Sequence, residues 1–446
     1  MLQSMTNIFR IPELRRKVLY TFAMLIVYRL GFQIWLPGVD IAAIEKMLER
    51  AGGGGLGQLL AFASAVTGGA LQQAKLFSLG IMPYISASII FSLLVKVIPS
   101  LEALQKEGES GRRRINELTR YATVGLCLLQ SLFVISWLKS QGLVIDRYAG
   151  SVLFYLSTAL SLTAGAMFVM WIGERISESG VGNGISLIIM AGIIARLPGA
   201  LSRFATDHIF NSALNRQEIV FGVLKLLAFL TLFVVVVVAV VIMQQSQRRI
   251  PIQQQKHTRG RRVYGGQLHY LPFRVNSAGV MPVIFAQSLL MLPAMLLGQF
   301  MSVDWAYGHG FWGITLNIAL IYFFTYFWIS LQFNPVEIAN NMKEHGSFIP
   351  GIRPGRKTAE YLEAIMNRIT FVGAGFLCAI AVLPNVVSTL IGIDTYMARF
   401  LGGTGILIIV GVALDIVQKI ESHLLMRHYE GFIKRGKIRA RRGGTI

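Results

Sequence analysis

Negative charge is scarce in this chain. Its 446 residues carry 22 Asp and Glu against 42 Lys and Arg, a formal net charge of +20, yet charged residues make up only 14% of the total. Cysteine is scarcer still. Cys127 and Cys378 both sit inside apolar runs, which argues against a disulfide framework and a cysteine-rich zinc site. The signatures of catalysis are missing as well. Lys343 to His345 (KEH) lacks HExxH spacing, no GxSxG elbow occurs, and the seven histidines show no metal-ligand spacing. GFIKRGKI from Gly431 approaches a phosphate loop, but Ile438 stands where Ser or Thr would hold magnesium, and no strand pattern precedes it. GVGNG at Gly180 to Gly184 opens an apolar helix pattern, not a dinucleotide-binding unit. The expectation is a protein that is not an enzyme and has no cofactor or metal. Any step driven by nucleotide hydrolysis then needs a partner to bind the nucleotide.

What the chain has in quantity is apolar residue, 54% of the total, with a mean hydropathy of +0.58. Apolar runs of about 20 residues recur, and an unbroken helix satisfies its own backbone in lipid, so the pattern is that of an all-α polytopic membrane protein. Ten spans are expected, at about 18–36, 75–98, 119–138, 152–171, 182–197, 219–243, 275–297, 312–332, 369–388 and 402–422. Counted on alternate sides of these spans, Lys and Arg number 26 on one side and 7 on the other, which places both termini in the cytoplasm by the positive-inside rule. The polar, basic start over residues 1–17 leads into a full-length span and reads as a retained cytoplasmic terminus.

One span begins irregularly. Before the run from Lys75 to Ile98, residues 56–74 (LGQLLAFASAVTGGALQQA) are apolar and uncharged but broken by Gly68 and Gly69, too short for one straight crossing and read as re-entrant. Irregular backbone at membrane depth is tolerated only where protein buries it or where it lines a cavity, so the segment marks a pathway. Ile81, Ile85, Ser88 and Ser92 then share one helical face. At ~1.5 Å per residue the two isoleucines lie roughly 9 to 15 Å from Lys75, near the midplane of a ~30 Å core. Taken alone, an ordinary transmembrane helix with serines at a helix contact accounts for this stretch.

Two loops on the basic side are long. Residues 244–273 carry six basic residues and no acidic one, and 333–367 include a PGIRPG turn in which Pro350 and Pro354 fix the backbone and present Arg353. Attraction to anionic lipid accounts for their charge, and loops of about 30 residues point to a further role. Charge inside the spans is rare. Asp415 and Lys419, one turn apart, read as a local ion pair, and Lys225 lies near a surface it can reach by snorkelling. A small-solute transporter is the alternative, with an ionisable or carbonyl-rich midplane site; here the midplane residues are isoleucines. An intramembrane protease is a third reading and lacks its catalytic constellation.

In order along the chain, GIMPYISAS, EGESGRRRINELTRY, GNGIS, QRRIPIQ, NSAGVMPVIFA, FNPVEIANNM, PGIRPG and GGTGILI closely resemble the SecY family of bacterial protein-translocation channels, over nearly the whole length. The resemblance implies two pseudo-symmetric five-helix halves, 18–197 and 219–422, with a basic cytoplasmic tail at 423–446. It implies a pore ring at Ile81, Ile85, Ile189, Ile284 and Ile406, and a re-entrant plug at 56–74 with Leu56, Leu60, Phe62, Ala63, Gly68 and Gly69. A lateral gate is implied around Ser86, Ser88, Ser92, Gln130, Asn276, Ser277 and Gln287. Arg261, Arg262 and Arg353 match positions that dock a motor or a ribosome. The implied function is conduction of unfolded secretory polypeptides across the bacterial inner membrane and release of apolar segments into lipid. The implied partners are SecE, SecG, the SecA motor ATPase, a translating ribosome, precursors bearing signal peptides, and anionic lipid. In this chain Ser92 stands where relatives often have Gln.

Overall fold

The computed structural model describes residues 11–44, 74–148, 150–195, 197–208, 216–254, 257–259, 262–264, 268–286, 310–391 and 404–435. The first helix, α1 (Pro12–Gly31), starts on Pro12, whose fixed φ and missing N–H suit a first helical position. Its exposed stripe of Leu19, Phe22, Ile26 and Leu30 follows helical spacing, a face made for lipid. The opposite face carries Tyr28, which meets Phe32 and Phe77 in a three-ring contact with centroids 4.9 to 6.2 Å apart. Phe77 is fully buried and lies so close to Gly31 that a Cβ there would stand 1.9 Å from the ring.

After α1 the chain departs and returns through a narrow neck. The Leu36 N–H donates to the Ala74 carbonyl at 3.1 Å and the Leu76 N–H to that of Ile34 at 2.9 Å, an isolated antiparallel bridge. Ala74, buried at this neck, has φ 47°. Then come α2 (Met82–Val97) and, past Pro99, α3 (Pro99–Lys106), which turns away by 96°. Long α4 (Glu109–Ser140) packs against both, and α5 (Val152–Ser179) packs against α4 and α1, followed by α6 (Gly184–Ile194), α7 (Leu197–His208) and α8 (Arg216–Gln245). Gly165 lets α5 approach the neck, since a Cβ there would lie 2.3 Å from the Leu76 carbonyl oxygen.

The basic loop after α8 is a sheet. Strands β1 (Gln247–Gln254) and β4 (Leu268–Arg274) pair antiparallel from Gln247↔Arg274 to Gln253↔Leu268, enclosing the hairpin of β2 (His257–Arg259) and β3 (Arg262–Tyr264). A helical turn over 281–286 follows, then α9 (Gly310–Gln332), α10 (Pro335–Glu344), β5 (Ser347–Phe348), α11 (Arg356–Ile391) and α12 (Thr404–Arg435). β5 adds to β1 through Gln253↔Phe348 and Gln254↔Ser347, so the second long loop completes the sheet of the first. Ile250, 2% exposed, and Phe273 anchor the sheet on Ile329 of α9 and Leu362 and Met366 of α11.

The structure is thus mostly helical, and the expectation of an all-α chain is amended by small sheets on the basic side. Among the described residues five helical stretches are long and apolar enough to cross a membrane. They are α4, α5, α8, α9 with its continuation into α10, and α11 as far as Pro384; the bent pair α2–α3 makes a sixth. Helices also outrun their expected spans: α4 starts at Glu109 where the span was placed from 119, and α11 at Arg356 where it was placed from 369.

Candidate functional site

The five isoleucines come from four separated segments. Ile81 precedes the first residue of α2 and Ile85 follows one turn later, its N–H bonded to the Ile81 carbonyl at 3.1 Å. Gly80, at φ 54°, makes the turn that aims the pair inward. Ile81 and Ile189 are buried in one apolar cluster, against which Ile85 and Ile284 pack half-buried. Ile406, 1% exposed in the first turn of α12, belongs to the adjoining cluster with Val236, Val240 and Val283, and Val280 touches both clusters. The structure therefore brings four of the five into one apolar cluster and sets the fifth in the adjoining one. Where apolar side chains line a narrow pore they exclude ions by dewetting and offer no hydrogen bond that would retain a passing side chain.

The position of Ile189 is fixed by the GVGNG turn. Asn183 caps α6, its Oδ1 accepting from the N–H groups of Ile185 at 3.1 Å and Ser186 at 3.2 Å. Ser177 Oγ accepts from the Gly184 N–H at 2.9 Å, and Thr21 Oγ1 accepts from that of Val181 at 3.1 Å. A Cβ on Gly184 would lie 2.0 Å from the Gly173 carbonyl oxygen, so glycine permits the close approach of α6 to α5. The glycines of this motif serve helix packing and a turn.

The residues expected at a lateral gate divide. Ser88 and Ser92 line a cleft of about 480 Å³, closed by Asn116 and Thr119 of α4 and by Trp328 and Gln332 of α9. Ser92 is exposed and donates to its own helix, to the Ser88 carbonyl at 2.7 Å. Ser86 and Gln130 are half-buried and do not line this cleft. Asn276 is buried, and neither its Oδ1 nor its Nδ2 makes a hydrogen bond within the described chain. Ser277 donates to the Arg274 carbonyl at 2.7 Å. Gln287 lies outside the described residues, as do the plug positions Leu56, Leu60, Phe62, Ala63, Gly68 and Gly69.

On the basic side, Arg353 is exposed in a turn flanked by Gly351 at φ 83° and Gly355 at φ 101°. Its carbonyl accepts from Thr358 Oγ1 at 3.0 Å, which ties the turn to the start of α11. Arg262 pairs with Arg259 across the β2–β3 hairpin, and Arg261 falls outside the described residues. Asp415 and Lys419 form the expected local ion pair at 3.2 Å. Nearby, Arg356 and Lys357 both pair with Glu360 and hold its carboxyl below the ordinary glutamate range, the Lys357 hydrogen bond being the largest cause. Sequence reasoning missed Arg112, Asn116 and Thr119 on the cleft. Their i, i+4, i+7 spacing on α4 carries the signal, but α4 lies polar-side-out there and its partner face is supplied from α2 and α9.

The SecY family profile matches residues 75–417. The protein translocase subunit SecY of Thermotoga maritima is 41% identical over 447 residues, covering 99% of this chain and all of that protein; its namesake in Streptomyces griseus is 43% identical over 97% of this chain and all of that protein. A solved protein-conducting channel superposes with a TM-score of 0.62 at 17% identity, covering 92% of each chain. Sec61 in a canine ribosome-channel complex from the endoplasmic reticulum gives 0.57 at 16% identity, again over 92% of each chain.

Proposed function

Since this chain belongs to the SecY family and is the pore subunit of a Sec translocon, we propose that unfolded polypeptide passes through the constriction of Ile81, Ile85, Ile189, Ile284 and Ile406. The observation that carries this reading is the gathering of Ile81, Ile85, Ile189 and Ile284, from three separated segments, in one apolar cluster. Residues 56–74 act as the plug. A plug domain is named for one structural relative, a SecY protein in which it stabilises the closed state.

Apolar segments leave sideways, between α2 and the helix begun at 281–286. Ten Leu, Ile, Phe or Val residues contribute about −3 to −6 kcal/mol toward lipid, at roughly −0.3 to −0.6 each. A charge at the centre costs ~2.5 to 3.5 kcal/mol, so one charged residue decides between insertion and crossing without any catalytic step. Asn276 serves the opened gate, where its unpaired amide finds partners on the passing chain or in water. The halves 18–197 and 219–422 swing apart to open it. The membrane is the bacterial inner membrane, with both termini cytoplasmic; SecE and SecG accompany the chain and anionic lipid surrounds it. Arg261, Arg262 and Arg353 dock the SecA motor or a translating ribosome, their planar guanidiniums suiting carboxylate and phosphate. Two structural relatives stand in ribosome complexes, which supports the ribosome as a partner.

The test is a secretory precursor stalled part-way by a folded domain, carrying single cysteines, with Cys in place of Ile85 or Ile284 on the channel. Crosslinks that require SecA and ATP and shift along the precursor with stall length are expected. A complete lack of crosslinks at every length, with loops and plug intact, rules out the pore assignment.

A further inference from the structure

Apolar residues join α8 to α12. Val236 and Val240 of α8 share one buried cluster with Ile406, Leu407 and Val410 of α12. The next residue of α8 at that spacing is polar: Gln244, half-buried in the last turn. Its Nε2 donates to the Leu407 carbonyl at 3.3 Å, an oxygen that helix geometry already pairs with the N–H of residue 411. Residue 411 is glycine, and the amide takes the room a side chain would need, since a Cβ there would stand 3.3 Å from Gln244 Nε2 and 3.5 Å from Oε1. Just beyond, the Ser246 carbonyl accepts from the Val275 N–H at 3.0 Å. One end of α8 thus holds both α12, which carries Ile406, and the segment that carries Ile284.

Joining two helices in lipid is the ordinary work of such a side chain. Here the hydrogen bond lands on the residue after Ile406, which gives it a second consequence. We propose that Gln244 is a positioning residue for the constriction: seated on Gly411, it fixes the rotation and height of α12 and so keeps Ile406 in the wall. The proposal rests on the pore reading above. Contacts among valine and leucine have no direction, and lipid tails replace them at little loss, so by themselves they let α12 turn or slide. A step of one residue along a helix is about 1.5 Å and about 100° of rotation, enough to take a side chain off its face. Ile406 would then leave the cluster it shares with Val283 and Ala286. The Leu407 carbonyl and Gly411 lie one turn apart on one face of α12, so a single rotation presents both to Gln244.

The test reads the exposure of position 406 directly. The full channel complex, with Cys127→Ala and Cys378→Ala, carries Ile406→Cys and is treated at rest with a membrane-impermeant maleimide. Ile406 is 1% exposed, so labelling should be slow. Gln244→Leu keeps the bulk and removes the donor, and should speed labelling by roughly tenfold, the change in local opening that one hydrogen bond of ordinary net strength controls. Gly411→Ala displaces the amide while favouring helix, and should do the same. The two together should go no faster than either alone. Gln245→Leu, exposed on the same turn, should change nothing. Thermal unfolding is measured on every variant. A role confined to holding helices together lowers the unfolding temperature and leaves labelling slow, and that result overturns the proposal. So do additive effects of Gln244→Leu and Gly411→Ala. If Gln244→Leu does not assemble, labelling of Gly411→Ala decides by the same criterion. Precursor crosslinking at Ile85 is scored on the same preparations. Crosslinks with labelling indifferent to Gln244 sink this proposal alone, and labelling that follows Gln244 without crosslinks sinks the pore reading alone.

Discussion

Gly184 and Gly125 make opposite demands on a methyl group. At Gly184 a Cβ would stand 2.0 Å from the Gly173 carbonyl oxygen, whereas at Gly125 nothing lies within 4 Å. Gly184→Ala therefore forces α6 away from α5 and should lower stability by about 1–3 kcal/mol, the usual cost of overpacking. Gly125→Ala, in the interior of α4, should raise stability by up to ~1 kcal/mol through helix propensity. Thermal unfolding of the two variants in the same micelle reads the contrast, and equal shifts would refute the close approach. A second residue-scale outcome concerns acid. Glu360 has a lowered pKa in the folded chain, so its pairing with Lys357 and Arg356 is fully present above the ordinary glutamate range and is lost as pH falls through the lowered value. Protection of the first turn of α11 against hydrogen exchange should drop in that acidic window, and Glu360→Gln should make it independent of pH there. The effect is small because the group is exposed.

At the scale of elements, the sheet on the basic side was the part least legible in the sequence. Pro251 and Pro272 both lie in strands, where proline removes a ladder donor. Pro251 is tolerated because β5 reaches β1 only at Gln253 and Gln254, which leaves β1 an edge at position 251; Pro272 is on β4, the outer strand of the order β4-β1-β5. Only Ile250 of β1 is deeply buried, so the strand shows little alternation, and its seat comes from α9 and α11, far off in sequence. Ile250→Ala should cost about 2–5 kcal/mol locally and strip exchange protection from 247–254 and 268–274 together, leaving α4 and α5 unchanged. Among the described residues five spans, and the bent pair α2–α3 as a sixth, were legible because hydropathy locates membrane, and the helix starts at Glu109 and Arg356 were not, because hydropathy says nothing about where a polar helix begins. Motif order named the five isoleucines, of which four share one apolar cluster and Ile406 belongs to the adjoining one. Arg112 was not, since its cleft exists only once α2, α3, α4 and α9 are assembled.

For the whole molecule, the proposed pore reading makes the apolar cluster around Ile189 what limits passage through the resting channel. Ile189→Ser puts a hydroxyl into the apolar contact and should wet it, raising ion conductance of the resting channel in planar bilayers while precursor crossing continues. Unchanged resting conductance would mean that the seal lies elsewhere. The assembly also depends on how its first segments are tied. The two hydrogen bonds between residues 34–36 and 74–76 close a long excursion of chain at its base. A segment fastened at both ends meets any seat within its reach at an effective concentration of about millimolar, whatever its intrinsic affinity. On the proposed plug reading, residues 56–74 need bind the channel only weakly to occupy it when idle, and the neck would turn a feeble ligand into a resident one.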